Sequence, residues 1–329
     1  MHTNQNMSIE EAVTLLQEGQ AIAFVTETVY GLGADATNEE AVNKIFQAKG
    51  RPSDNPLIVH IAHFDQVNPL VTSIPDKAKL LMDAFWPGPL TIIFPKSDLV
   101  ASNVSAGLDS VGIRMPSHPV ARELLDKVGL PIAAPSANTS GKPSPTTAYH
   151  VYDDLNGKIL GIVDGGPVDK GIESTVIDCT IDPPVILRPG SITQDQIEAL
   201  IGSVNISSSL QEDHTPKAPG MKYRHYAPKA PLILIDGDEA KFIQVVDKEL
   251  ESNKKVGILV PTTYHQVNAT VKLAYREDVE FFARNLYLFL REFDRHDLDV
   301  IYVKYIHGQG LAQSIMNRLL KAADNTIIK

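Results

Sequence analysis

Between Ser203 and Pro231 the stretch SVNISSSLQEDHTPKAPGMKYRHYAPKAP loses apolar periodicity and fills with Ser, Pro and charge, the composition of a linker. Such a break forbids one continuous core and divides the 329 residues into two blocks, each long enough to bury its own. We therefore expect a first domain over residues 1–203, a linker over 204–230 and a second domain over 231–329. The far end of the linker, MKYRHYAP, gathers two tyrosines, an arginine and a histidine, and fits either a passive tether or a functional segment.

The two blocks differ in rhythm. In the first, Ser8 and Glu11 form a capping box that opens a helix closed by Gly19, followed by the apolar strand AIAFVT. After the loop ETVYGLGADA, Thr37 and Glu40 repeat the box ahead of EEAVNKIFQAK, which Gly50 stops, so Lys49 and Arg51 are expected to project from a turn. PLIVHI, LTIIFP, SVGIRM, LPIAAPS, ILGIVDG, STVIDC and PVILRPG read as strands, with helices at DKAKLLMDAF, HPVARELLDKV and after Thr193. Strands and helices mix without a strict βαβ alternation, so a twisted mixed sheet is expected. Beyond Pro231 the alternation becomes regular, LILID, EAKFIQVVDKEL, KVGILV, VNATVKLAY, EFFARNLYLFLREF and VIYVKYI, which predicts a smaller doubly wound, Rossmann-like α/β domain.

Composition limits the function classes. A net charge of -10 argues against a surface that grips nucleic acid or acidic membrane as a whole, so any basic site is local. The single Cys179, inside the apolar STVIDC, excludes an intramolecular disulfide and a thiolate zinc cluster and reads as core. No apolar run reaches the roughly 18 residues of a membrane span, and MHTNQNMSIEEAV lacks a cationic start followed by an apolar run. We expect a cytoplasmic protein without membrane partners. There is no Walker A pattern and no His-Glu-x-x-His, and GQGLAQ at Gly308 lacks the following strand that a dinucleotide fold needs.

Short polar motifs instead flank the strands of the first block: TETVYG, KGRPSDN, DSVGIR, PSANTSGKPS, GIEST and LRPG. In open α/β sheets ligand sites assemble from such loops. Lys49, Arg51, Arg114 and Arg188 lie in or beside them, with Ser110, Ser136, Ser144 and Ser174. Together they suggest a polyanion pocket, Arg binding phosphate or carboxylate bidentately and Lys as a point charge. Ion pairing with Asp54, Asp109 or Glu173 is the alternative for each cation.

The ordered series TETVYGLGAD, KGRPSDNPLIVH, VGIRMPSHP, PSANTSGKPSPT, GIESTVID and ILRPGSI resembles the YrdC/Sua5 family, and the block after MKYRHYAP resembles its two-domain Sua5 form. The resemblance implies synthesis of threonylcarbamoyl-AMP from L-threonine, bicarbonate and ATP, with release of pyrophosphate, for the t6A37 modification of tRNA. It implies catalytic roles for Lys49 and Arg51, and ATP contacts by Arg51, Asn55, Ser110, Ser136, Asn138, Ser144, Arg188 and Tyr226. Thr28, His60, Arg114, the Ala134 backbone and Ser174 are implied to hold L-threonine. Mg²⁺ is the implied companion, held mainly through ATP phosphates rather than by a protein metal site. With Tyr226 reaching the nucleotide, MKYRHYAP becomes a lid that excludes water, and a cut near Thr215 is expected to shorten the lifetime of bound intermediate. The implied partner is the machinery that transfers threonylcarbamoyl to tRNA, with tRNA contacted directly or only through it.

Two rival readings stand beside this one. A non-catalytic RNA-binding module would use the same basic concave face, although 6% aromatic residues leave few stacking platforms. Carbamoyl transfer from carbamoyl phosphate is carried by a related domain in larger proteins, which bring zinc-finger modules that one cysteine cannot build.

Overall fold

The structure, a computed structural model, describes residues 3–207 and 225–329. Two compact units emerge, Met1–Ser140 with Ser144–Tyr223, and Gly141–Pro143 with Arg224–Lys329. The expected cut at Thr215 and the beginning of MKYRHYAP lie outside the described residues.

In the first unit α1 (Ile9–Gln17) starts at Ser8, whose hydroxyl accepts from the Glu11 amide, and leads into β1 (Ile22–Phe24). Residues expected to form a loop are instead β2 (Gly31–Asp35), antiparallel to β1. Of its two glycines Gly33 is required by packing: a Cβ there would stand 2.6 Å from Ile132 and 2.7 Å from Phe24. The cap of α2 (Glu39–Lys49) also differs from expectation. Asn38 accepts from the Glu40 and Ala41 amides, while Thr37 donates to the Asp35 carboxylate. Then follow β3 (Ile58–His60), α3 (Asp76–Phe85), β4 (Leu90–Pro95), β5 (Ser110–Arg114), α4 (Pro119–Val128) and β6 (Ile132–Ala133). The unit ends with α5 (Ala148–Leu155), β7 (Ile162–Val163), β8 (Thr175–Asp178), β9 (Val185–Arg188), α6 (Gln194–Ile201) and β10 (Asn205–Ile206).

These strands make one mixed sheet in the order β10-β9-β8-β4-β5-β3-β6-β2-β1-β7. The parallel pairs β3/β5 and β4/β8 sit in its middle, joined by antiparallel β4/β5. Both faces are covered. Ile22 and Phe24 share a cluster with Leu16 of α1 and Leu124 and Leu125 of α4, whereas Ala23 and Val25 belong to the cluster that also holds residues of α2, α3, α5 and α6. Alternation along β1 thus feeds two cores, which explains its continuous apolar run.

The second unit contains β11 (Leu232–Ile235), α7 (Glu239–Glu251), β12 (Val256–Pro261), β13 (Val271–Tyr275), α8 (Val279–Phe293), β14 (Val300–Lys304), α9 (Leu311–Ala322) and β15 (Ile327–Ile328). Its strands are ordered β13-β12-β14-β11-β15, and every pairing is parallel. The open parallel α/β architecture matches the sequence pattern, with β14 inserted between β12 and β11 where the commonest doubly wound order keeps those two adjacent.

Candidate active site

The site residues of the first unit are positioned by the ends of its central strands. β3 and β5 run parallel with His60 opposite Arg114. The turn after β1 is closed by Thr26, whose hydroxyl donates to the Val29 carbonyl at 2.6 Å and accepts from the Thr28 amide at 3.2 Å. That turn presents Thr28, whose Oγ1 accepts from Arg114 Nη1 at 2.9 Å. Arg114 Nε donates to the Gly88 carbonyl at 3.3 Å, and Nη2 lies 2.7 Å from Glu27 Oε1. Arg114 is therefore ion-paired, but with Glu27 rather than with Asp54, Asp109 or Glu173.

His60 is buried, its Nδ1 3.2 Å from the Ile58 carbonyl and its ring edge-on to Phe24. Burial, aided by the nearby Arg114 charge, pushes its pKa down to about 3, so the imidazole is neutral near pH 7 and acts only by hydrogen bonding. The Ala134 amide donates to the Ile58 carbonyl at 2.9 Å, which leaves its carbonyl as the backbone group to offer.

A second cluster joins β4, β8 and β9. Ser174 Oγ lies 2.8 Å from Thr91 Oγ1, and Arg188 donates to Ser174 twice, Nη2 to Oγ and Nε to the carbonyl, each at 3.1 Å. Ser144 donates to the adjacent Glu173 carboxylate at 2.5 Å, tying the PSANTSGKPS loop to GIEST. Thr91 carries no pattern that marks it in sequence, whereas Glu173, weighed from sequence as an ion-pair partner, is met here by Ser144. A lone hydroxyl within the apolar LTIIFP is the only sign of the first.

Lys49 departs from expectation. It is the last residue of α2, 1% exposed, and its ammonium donates to the carbonyls of Ser136 and Asn138 at 2.5 and 2.6 Å. Instead of projecting, it fastens the PSAN loop from beneath, and Ser140 returns an amide bond to the Lys49 carbonyl at 2.9 Å. Arg51 is half-buried, its guanidinium donating to the Asn55 and Pro56 carbonyls at 3.2 and 3.1 Å. The Asn55 carboxamide is 1% exposed, and neither its oxygen nor its nitrogen has a partner among the described residues. Ser110 opens β5 at the end opposite Arg114, roughly 13 Å away along a strand, and so stands apart from the Arg114 cluster.

Tyr226 belongs to the second unit. Its backbone is left-handed (φ 64°), its ring packs 5.4 Å from Tyr287 and 5.6 Å from His225, and the next amide, Ala227, donates to the Gly141 carbonyl. Cys179 is buried and its thiol is pushed up to about 12, which removes it as a nucleophile. Among the described residues no group of three or more His, Cys, Asp or Glu is placed to hold a metal, and no helix is long and apolar enough to cross a membrane.

Comparison with known proteins gives these clusters a context. Residues 14–190 match the Sua5/yciO/yrdC family profile, described as telomere recombination, and residues 192–324 match the profile described as the C-terminal domain of threonylcarbamoyl-AMP synthase. The chain is 49% identical to the threonylcarbamoyl-AMP synthase of Bacillus subtilis, over 98% of this chain and 94% of that one. Its structure is similar to that of Pyrococcus abyssi Sua5 complexed with L-threonine, with TM-score 0.94 and 46% identity over 99% of this chain and 98% of that one. A variant of the same archaeal protein, with a His and a Tyr replaced by alanine, matches with TM-score 0.94 and 47% identity over 98% and 94% of the two chains. With both profiles matched in sequence and both units matched in space, the chain belongs to the Sua5/YrdC family, in its two-domain form.

Proposed function

We propose that the protein is an L-threonylcarbamoyladenylate synthase, a nucleotidyltransferase that condenses L-threonine, bicarbonate and ATP to threonylcarbamoyl-AMP and pyrophosphate. The observation that carries this reading is relatedness along the whole chain to synthases of that name, with each unit accounted for.

The chemistry suits the residues. The free threonine amine adds to bicarbonate with loss of water, or to CO2 with loss of a proton, and a carbamate oxygen then attacks the α-phosphate as pyrophosphate leaves. No protein nucleophile is required, consistent with a buried, protonated Cys179. Alignment and charge neutralisation are required instead. Arg114, Thr28, neutral His60 and the Ala134 carbonyl are assigned to threonine together with Ser174. Arg188, Ser144, Ser136, Asn138, Arg51 and Asn55 are assigned to the nucleotide, with Ser110 and Tyr226 assigned by family resemblance alone. Lys49 acts in this scheme by holding the loop that carries Ser136 and Asn138.

Mg²⁺ bound to the triphosphate supplies charge neutralisation. The residues present fit such a companion at Asn55, whose buried carboxamide oxygen has no partner among the described residues and would serve as a neutral ligand. We place the protein in the cytoplasm, acting ahead of the machinery that transfers threonylcarbamoyl to tRNA.

Pyrophosphate release with ATP and Mg²⁺, omitting threonine or bicarbonate in turn, tests the reaction. Release that needs both is expected. Release without threonine, or none despite ATP binding, overturns the synthase reading, and release triggered by carbamoyl phosphate in place of threonine assigns the rival transfer chemistry.

A further inference from the structure

The Glu27–Arg114 pair is matched in charge but not in hydrogen bonds. Glu27 Oε1 and Arg114 Nη2 are 2.7 Å apart, with side chains 4% and 5% exposed. Neither Glu27 oxygen accepts a hydrogen bond, however, and Nη2 donates none, among the described residues. The remaining guanidinium nitrogens are occupied, Nη1 by Thr28 Oγ1 and Nε by the Gly88 carbonyl. The two groups are thus matched by charge alone in a buried place, where charged groups that lack hydrogen bonds are costly and native chains seldom keep them without a reason.

We propose that this pair is a receptor for a zwitterion: Arg114 Nη2 binds the α-carboxylate of the amino-acid substrate and Glu27 binds its α-ammonium, which makes Glu27 a specificity-determining residue. A ligand carrying both charges on groups attached to one carbon offers hydrogen bonds to both members of the pair without adding net charge to the site. A simple carboxylate satisfies only the arginine and leaves Glu27 unbonded against added negative charge. Discrimination of this kind, in which the wrong ligand leaves a buried polar group unpaired, is the strongest that small sites achieve. The inference rests on the threonine assignment of this cluster and adds to it the group that reads the amine.

Titration calorimetry on the full chain distinguishes the roles. The probes are L-threonine and 2,3-dihydroxybutanoate, which keeps the carboxylate and hydroxyl and replaces the ammonium by a hydroxyl. The wild type is expected to prefer threonine by about tenfold or more, the effect of one charge-assisted contact. Glu27→Gln is expected to weaken threonine while leaving the deaminated analogue unchanged or tighter, so that the preference collapses, and Glu27→Asp to keep part of it. ATP affinity, unchanged in both variants, verifies the fold. If Glu27→Gln weakens both probes in equal proportion, Glu27 only holds Arg114 in place and the proposal fails. A wild type that binds both probes equally overturns it as well, with the threonine site intact. A wild type that binds ATP but neither probe overturns the threonine assignment itself.

Discussion

His60 shows how one buried residue sets a pH response. Its pKa lies at about 3 in the folded chain, against about 6.5 for an unfolded histidine. Between those values the unfolded chain holds one proton more, so the stability that neutral His60 contributes is complete above about pH 6.5 and is lost as pH falls toward 3. Urea unfolding of the wild type and of His60→Asn at pH 6.5 and 5 measures this. The wild type is expected to lose about 1.6 kcal/mol more than the variant over that interval, and equal losses would mean that the imidazole takes up its proton alike in the folded and unfolded chain. The contiguous motifs that hold Thr28 and Ser174 stand out in the sequence, and the structure sets each of these residues against a buried arginine. Such pairings were not legible, because Arg114 meets Thr28 across 86 residues and Ser144 meets Glu173 across 29, and no local pattern marks them. Glu27 was hidden for the same reason: a carboxylate in a loop reads as solvated until a buried arginine is brought beside it.

Elements whose signal is periodic were read almost to the residue. α3 and β4 coincide with DKAKLLMDAF and LTIIFP, and the Ser8 and Thr193 caps are as expected. The failures were short elements whose existence depends on neighbours. β2 was taken for a loop because its glycines signal turns, although Gly33 is there to admit Ile132 and Phe24. α5, β10 and β15 are eight residues or fewer and draw their stability from packing or pairing, to which local propensity is blind. Gly190 makes a related prediction about the turn after β9. A Cβ there would collide with the Thr175 amide nitrogen and stand 2.6 Å from the Ser174 carbonyl carbon and 2.7 Å from the Glu173 carbonyl oxygen, all backbone and unable to rotate away. Gly190→Ala is therefore expected to destabilise by about 1–3 kcal/mol. By pushing Ser174 away from Arg188 it should also weaken ATP and threonine binding together, as measured by calorimetry on the folded fraction. Unchanged affinities would show that the Ser174–Arg188 cluster lies outside the binding site.

At the scale of the whole molecule, the two units carry hydrophobic cores drawn from their own residues. Ile22, Phe24 and Ala41 lie in those of the first, and Phe242, Val256 and Tyr302 in that of the second. The sequence located this division through its loss of periodicity, yet it did not indicate that Gly141–Pro143, inside the PSANTSGKPS motif, groups with the second unit, where Arg291 donates to the Pro143 carbonyl at 2.6 Å. Separate cores predict that unfolding is not a single two-state event. Trp86 is the only tryptophan of the chain and is buried in the first unit, its indole N–H donating to the Leu90 carbonyl at 2.7 Å, so its fluorescence reports that unit alone. Far-ultraviolet circular dichroism reports both. Threonine and ATP with Mg²⁺, each at about a hundred times its dissociation constant, should each add about 2.7 kcal/mol to whatever unit binds them. The expected result is a Trp86 transition that moves up with either ligand, and a second transition, visible only by dichroism, that threonine leaves in place because its assigned residues all belong to the first unit. ATP tests the Tyr226 assignment in the same experiment: a shift of the second transition supports a nucleotide contact by that residue, and a fixed one removes Tyr226 from the site.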